Sequence, residues 1–168
     1  FADSNSVAFD AYNTAIGTHA LRGSFNPANN TGIYNTAVGG RAMNENTSGS
    51  RNSALGYHAL YSNTTGNSNI AVGIMALYSN TERSNLVAIG DSALYNNGIG
   101  ATLSGHSSGN TAIGSKSLYA NTTGSYNCAV GLKSLNSNTT GYENTASGWN
   151  SLNKNTEGKS NTAYEIGR

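Results

Sequence analysis

The stretch SLYANTTGSYNCAVGLKSLNSNTTGYENTASGWNSL, residues 117–152, carries one message twice. Asn-Thr-Thr-Gly at 121–124 returns at 138–141, Ala129 returns as Ala146, and Leu118 returns as Leu135 and then Leu152, always 17 residues on. Take as an anchor the glycine that closes each N-T-A-[I/V]-G. It falls at Gly17, Gly39, Gly56, Gly73, Gly90, Gly114, Gly131 and Gly148, in steps of 22, 17, 17, 17, 24, 17 and 17. A ninth copy ends at Glu165. One motif fills the chain, so residues 1–168 read as a single repeat domain, with a partial coil or cap over 1–12 and repeats over 13–165.

The columns of this alignment carry the physics. Two before the anchor stands alanine in every copy, Ala15 to Ala163. One before it stand Ile16, Val38, Leu55, Val72, Ile89, Ile113, Val130 and Ser147. Four after it stand Leu21, Met43, Leu60, Leu77, Leu94, Leu118, Leu135 and Leu152. The position one after it varies freely (Thr18, Gly40, Tyr57, Ile74, Asp91, Ser115, Leu132, Trp149), as a solvent-facing position does. Apolar residues do not recur at helical spacing, and Gly and Asn interrupt too often for a helix. Short strands bounded by Gly/Asn turns fit.

The sequence therefore predicts an all-β fold, a parallel β-solenoid or β-roll of about nine 17-residue coils with two short strands in each. Coils stack at ~4.8 Å, the interstrand spacing. In-register stacking keeps columns constant, because each side chain rests on its own copy. The asparagines four before the anchor (Asn13, Asn35, Asn52, Asn69, Asn110, Asn127, Asn144, Asn161) are placed to form an amide ladder, broken only at Leu86. Neighbouring strand residues face opposite ways. On that rule the aliphatic face is assigned to the core, and the Ala/Gly face to close approach of another backbone, either the opposite sheet or a second chain. The insertions, RGSFNPA (22–28) and GIGATLSGH (98–106), are expected on one edge, since each follows the leucine column.

Composition excludes several classes. Charged residues are 10% and the net charge is +1, so no basic face for nucleic acid is expected. No apolar run reaches the ~20 residues of a membrane span, and no membrane insertion is expected. One cysteine permits no internal disulfide. No signal peptide is read at FADSNS.

The segments SNSVAFD (4–10), NLVAIG (85–90) and NTAIG (13–17 and 110–114) resemble the repeat of trimeric autotransporter adhesin heads, whose own repeat is shorter. The longer unit NTAVG..AL.SNTTG resembles repeats of bacterial surface proteins and phage tail-fibre-like proteins. The resemblance covers residues 5–165. It implies a left-handed roll, three chains packed around an axis, an extracellular place on a cell surface or virion fibre, and attachment without catalysis.

Chemical motifs are few. No Ser-His-Asp set or carboxylate pair stands out, so no catalytic residue is assigned. His19 and His58 share a column, but Arg41 lies between them; at roughly 9.6 Å they are too far apart to share a metal. No metal or other cofactor is expected. Cys128 falls in a column of Thr, Ser, Ile and Val and reads as a small, half-buried packing residue. Of five glycosylation sequons (Asn29, Asn46, Asn63, Asn121, Asn138), four lie in the repeated Asn-Thr-x-Gly turn itself, so turn chemistry explains them.

Binding is expected at the insertions and at a tyrosine stripe. Tyr61, Tyr78, Tyr95 and Tyr119 share a column in four consecutive coils and are set to stack on each other or on sugar rings. In the loops the candidates are Phe25, Asn26, Leu103 and His106, with Phe25 and Pro27 forming an apolar tip and the glycine-rich second loop the softer one. The expected partners are further copies of the chain, as a trimer, and a glycan or protein of a host surface. The alternatives are an ice-binding solenoid, whose threonine column is interrupted at Ile70, Val87 and Cys128, and a bare spacer. A solenoid lyase would need clustered carboxylates and bases in a groove, and none is read.

Overall fold

The computed structural model describes residues 12–164. The segment SNSVAFD, the cap expected over 1–12 apart from Tyr12, and Glu165 lie outside the described residues. The chain is an all-β parallel solenoid of about eight turns. Each turn returns one three-residue strand to one sheet, paired parallel in chain order. The strands are β1 (Thr14–Ile16), β2 (Thr36–Val38), β3 (Ser53–Leu55), β4 (Ile70–Val72), β5 (Val87–Ile89), β6 (Thr111–Ile113), β7 (Cys128–Val130), β8 (Thr145–Ser147) and β9 (Thr162–Tyr164). Alanine pairs with alanine at every step, from Ala15 with Ala37 to Ala146 with Ala163. Eight steps of the interstrand spacing set roughly 38 Å between β1 and β9.

The two faces of the sheet are the reverse of the sequence assignment. Ala37, Ala54, Ala71, Ala88, Ala112, Ala129 and Ala146 are buried, while Ile16, Leu55, Ile89, Ile113 and Val130 are exposed. The cause is room. A 17-residue coil encloses little space, and the leucine column (Leu60, Leu77, Leu94, Leu118, Leu135) already fills it. Opposite those leucines only a methyl group fits, so alanine turns inward and the larger aliphatic side chains turn out.

The second strand expected in each coil is absent among the described residues. The stretch after the anchor runs as stacked turns with left-handed backbone two and four residues on, as at His58 (φ 57°) and Leu60 (φ 53°). This places both Ala59 and Leu60 inside, where strand alternation had them diverge. A non-glycine residue in this region costs about 1–2 kcal/mol. Burying a leucine side chain returns about 1.5–3 kcal/mol. The Leu60 amide also donates to the Ala76 carbonyl of the next coil at 2.9 Å. The anchors from Gly17 to Gly131, each roofed by the anchor glycine of the next coil, admit only glycine. Gly73 has φ 130°, and a Cβ there would lie 2.5 Å from the Gly90 carbonyl oxygen.

Two amide ladders run inside the stack. The expected one is present: Asn52 Nδ2 donates to Asn35 Oδ1 at 3.2 Å, and Asn144 to Asn127 at 3.1 Å. Each such carbonyl oxygen also takes the backbone amide of the asparagine above, as Asn35 does for Asn52 at 2.9 Å. A second ladder comes from the Asn-Thr turns, where Asn63 donates to Asn46 at 2.8 Å and Asn138 to Asn121 at 3.0 Å. These four are sequon asparagines, and all four are buried, so the turn accounts for them.

Candidate functional site

The tyrosine column forms a continuous stack. Ring centroids of Tyr61 and Tyr78, Tyr78 and Tyr95, and Tyr95 and Tyr119 lie 5.2, 5.1 and 5.3 Å apart, at interplanar angles of 9°, 5° and 19°. The inner rings, Tyr78 and Tyr95, therefore give both faces to each other and their neighbours. At one end His58 stacks on Tyr57 at 4.0 Å and tilts against Tyr61 at 4.8 Å. Both ring nitrogens of His58 are buried and have no partner among the described residues. Burial, and then the nearby Arg41, hold its imidazole below the usual histidine value. Burial first, and then Glu45, push the Tyr61 phenol up.

Both insertions leave the coil at one corner, as the sequence expects. The first departs after Gly23, whose amide still pairs with Asn44, and rejoins at Thr31, whose amide pairs with Thr47. Asn30 closes it, accepting from the Ser24 amide at 2.8 Å and donating to the Ser24 carbonyl at 3.1 Å. Phe25 is 83% exposed, with the Arg22 guanidinium 4.7 Å over its ring. Asn26 turns its carboxamide back on the loop, accepting from the Ala28 amide at 3.2 Å. The second insertion departs after Gly98 and rejoins at Ser107, whose amides pair with Thr122 and Thr123. Four coils separate the insertions, roughly 19 Å. Phe25 and Asn26 therefore do not meet Leu103 and His106.

The second insertion is clamped from below. Arg83 Nη1 donates to the Leu103 carbonyl at 2.9 Å and Nη2 to the Ala101 carbonyl at 2.8 Å. From above, the Ser125 hydroxyl donates to the Gly105 carbonyl at 2.7 Å. The loop stands as a ridge with a hollow on each side. The lower hollow, about 520 Å³, is polar and includes Glu82, Arg83 and Asn85. The upper one, about 440 Å³, is lined by Gly105, His106, Thr123, Ser125, Tyr126, Thr140, Tyr142 and Glu143.

The upper hollow joins one residue from the predicted set, His106, to aromatic and acidic residues that sequence reasoning passed over. Tyr126 lies against Gly109; a Cβ there would come 2.7 Å from the tyrosine ring. Glu143 stands directly above Tyr126 in the column, and one oxygen of its carboxylate accepts from Ser160 at 3.2 Å. Tyr142 has the Lys159 ammonium 5.7 Å over its ring. The signals were in the columns. Arg83 replaces the glycine of Asn-Thr-x-Gly just before the insertion, and Tyr142 ends a run of Ser50, Asn67, Ser84, Ser108 and Ser125.

No protein family, curated protein or solved structure matches this chain.

Proposed function

We propose that this chain is a non-enzymatic rod, a structural and adhesive segment of an extracellular fibre or surface adhesin. In this reading identical chains associate side by side through the outward face of the sheet. The observation that carries it is the exposed aliphatic stripe. Ile16, Leu55, Ile89, Ile113 and Val130 are 37–59% exposed, and Ile74, Leu132 and Trp149 beside them are about half exposed. A long apolar patch of this kind is uncommon on a monomer. A second copy has the same ~4.8 Å repeat and would match it coil for coil. The adhesin-head resemblance favours three copies and an extracellular setting. The contact assigned to the Ala/Gly face thus moves to the opposite face, because the alanines are buried inside the coil.

Sedimentation equilibrium tests the assembly. The parent should run as an oligomer, a trimer in this reading, and Leu55→Asp with Val130→Asp should release the monomer. A parent that stays at 17.3 kDa when concentrated overturns it. A second reading, ice binding, is favoured by the placement of Thr14, Thr36 and Thr162 on the same exposed face of the sheet. Thermal hysteresis in the parent would move the assignment there; its absence would remove that reading.

A further inference from the structure

We infer that the hollow above the second insertion is a saccharide site, and that it takes a neutral pyranose ring. The inference deepens the attachment reading and rests on it only for the many copies that would act together.

The chemistry of the lining points to this ligand class. Tyr126 and Tyr142 come from successive coils, are 63% and 40% exposed, and supply aromatic surface at two levels. A sugar ring offers C–H faces to such surface and hydroxyls around its rim. The hydroxyl acceptor is at hand in the Glu143 carboxylate. Ser160 engages one of its oxygens, and a carboxylate accepts several hydrogen bonds. Thr122 and Thr139 each donate to a carbonyl of the next coil. Their neighbours Thr123 and Thr140, which line the hollow, make no side-chain hydrogen bond among the described residues, so both hydroxyls are free for a ligand. His106 closes the site from the ridge, and its buried Nδ1 has no partner among the described residues. Aromatic walls with a few convergent polar groups are the ordinary make-up of a small-molecule site, and about 440 Å³ lies within the usual range.

Charge selects within the class. Among the described residues that line the hollow, Glu143 supplies the one carboxylate and no lysine or arginine is present, while Lys159 lies over the Tyr142 ring. A sialylated or sulfated sugar would set its anion against Glu143. A neutral hexose or N-acetylhexosamine would not. The site is open on one side and small, so a single ring should bind with a dissociation constant on the order of 1 mM. Linked copies on a rod would raise the apparent affinity by about a hundredfold or more.

The test is an amide-resolved NMR titration of the whole chain with the methyl glycosides of glucose, galactose, mannose and N-acetylglucosamine, and with sialyllactose. At least one neutral glycoside should move the amides of His106, Tyr126, Tyr142 and Glu143 at about 20 mM. Tyr142→Ala should abolish the shifts. The near-isosteric Glu143→Gln keeps the site's shape and should weaken binding about tenfold. Tyr34→Ala, at an exposed tyrosine elsewhere, should bind as the parent does. No shift with any neutral glycoside, preference for sialyllactose, or equal binding by Tyr142→Ala and Glu143→Gln overturns the site. Cell attachment measured in parallel separates the two ideas. Attachment that survives in a protein without sugar shifts sinks the saccharide site and leaves the rod reading standing. Loss of self-association with the sugar shifts intact does the reverse.

Discussion

Asn63 is wholly buried, and its carboxamide serves three partners. It donates to Asn46 Oδ1 at 2.8 Å and to the Gly66 carbonyl at 3.0 Å, and it accepts from Asn80 at 3.2 Å. A buried polar group left without its partner costs about 1–3 kcal/mol. Asn63→Ala strands more than one, so denaturant titration should show a loss of about 2–4 kcal/mol. His58 makes the opposite case. Its imidazole is held below its ordinary value by burial and by Arg41, so the unfolded chain binds the proton more readily than the folded one. The contribution is present in full above about pH 6.5, the unfolded value. It is lost as pH falls from there through the lower folded value. Urea midpoints should drop between about pH 7.5 and about pH 5, and His58→Phe should flatten that slope. An unchanged slope in the variant would assign the pH dependence to other groups.

The repeating element combines a three-residue strand, an anchor glycine and left-handed turns. The stack and the asparagine ladder were legible because both rest on column identity, which a sequence displays directly. The direction of each face was not. Alternation states that Ala129 and Val130 diverge, but only the volume inside a closed coil decides which goes in. Leucine four after the anchor also hides its backbone, since leucine disfavours φ near 50° and adopts it here under burial and inter-coil hydrogen bonds. The saccharide hollow was illegible for a third reason. His106 reaches Glu143 only after two further passes of the chain. At this scale the glycines give a sharp contrast. Gly73→Ala puts a Cβ against the Gly90 backbone at a φ of 130° and should cost about 3 kcal/mol or more. Gly100, in the second insertion, has no heavy atom within 4 Å of an added Cβ. Gly100→Ala carries only the backbone cost of about 1–2 kcal/mol, and that in a loop. Equal losses in thermal melts would mean that coil-to-coil approach is not what reserves the anchor for glycine.

The whole molecule is a one-dimensional array in which each coil touches only its neighbours, so its stability is close to a sum of coil and interface terms. Removing residues 57–73 takes out one complete coil and joins Gly56 to Ile74. β3 then meets β5 with Ala54 opposite Ala88, and every column above the junction keeps its place. The shortened chain should fold cooperatively, with a rod shorter by ~4.8 Å in small-angle scattering. Its denaturant slope should fall by about one eighth, in proportion to the surface lost. Removing residues 57–72 instead leaves one extra glycine at the anchor. A single residue at that point pushes an outward side chain inward or slips the strand. Two other coils, Gly17 to Gly39 and Gly90 to Gly114, accept five and seven extra residues at the insertion corner, because no strand register is fixed there. The 16-residue deletion should therefore unfold at clearly lower denaturant than the 17-residue one, although it removes less of the protein. If the two deletions prove equally stable, register does not govern the stack, and the column logic behind the fold, the ladders and the outward stripe fails with it.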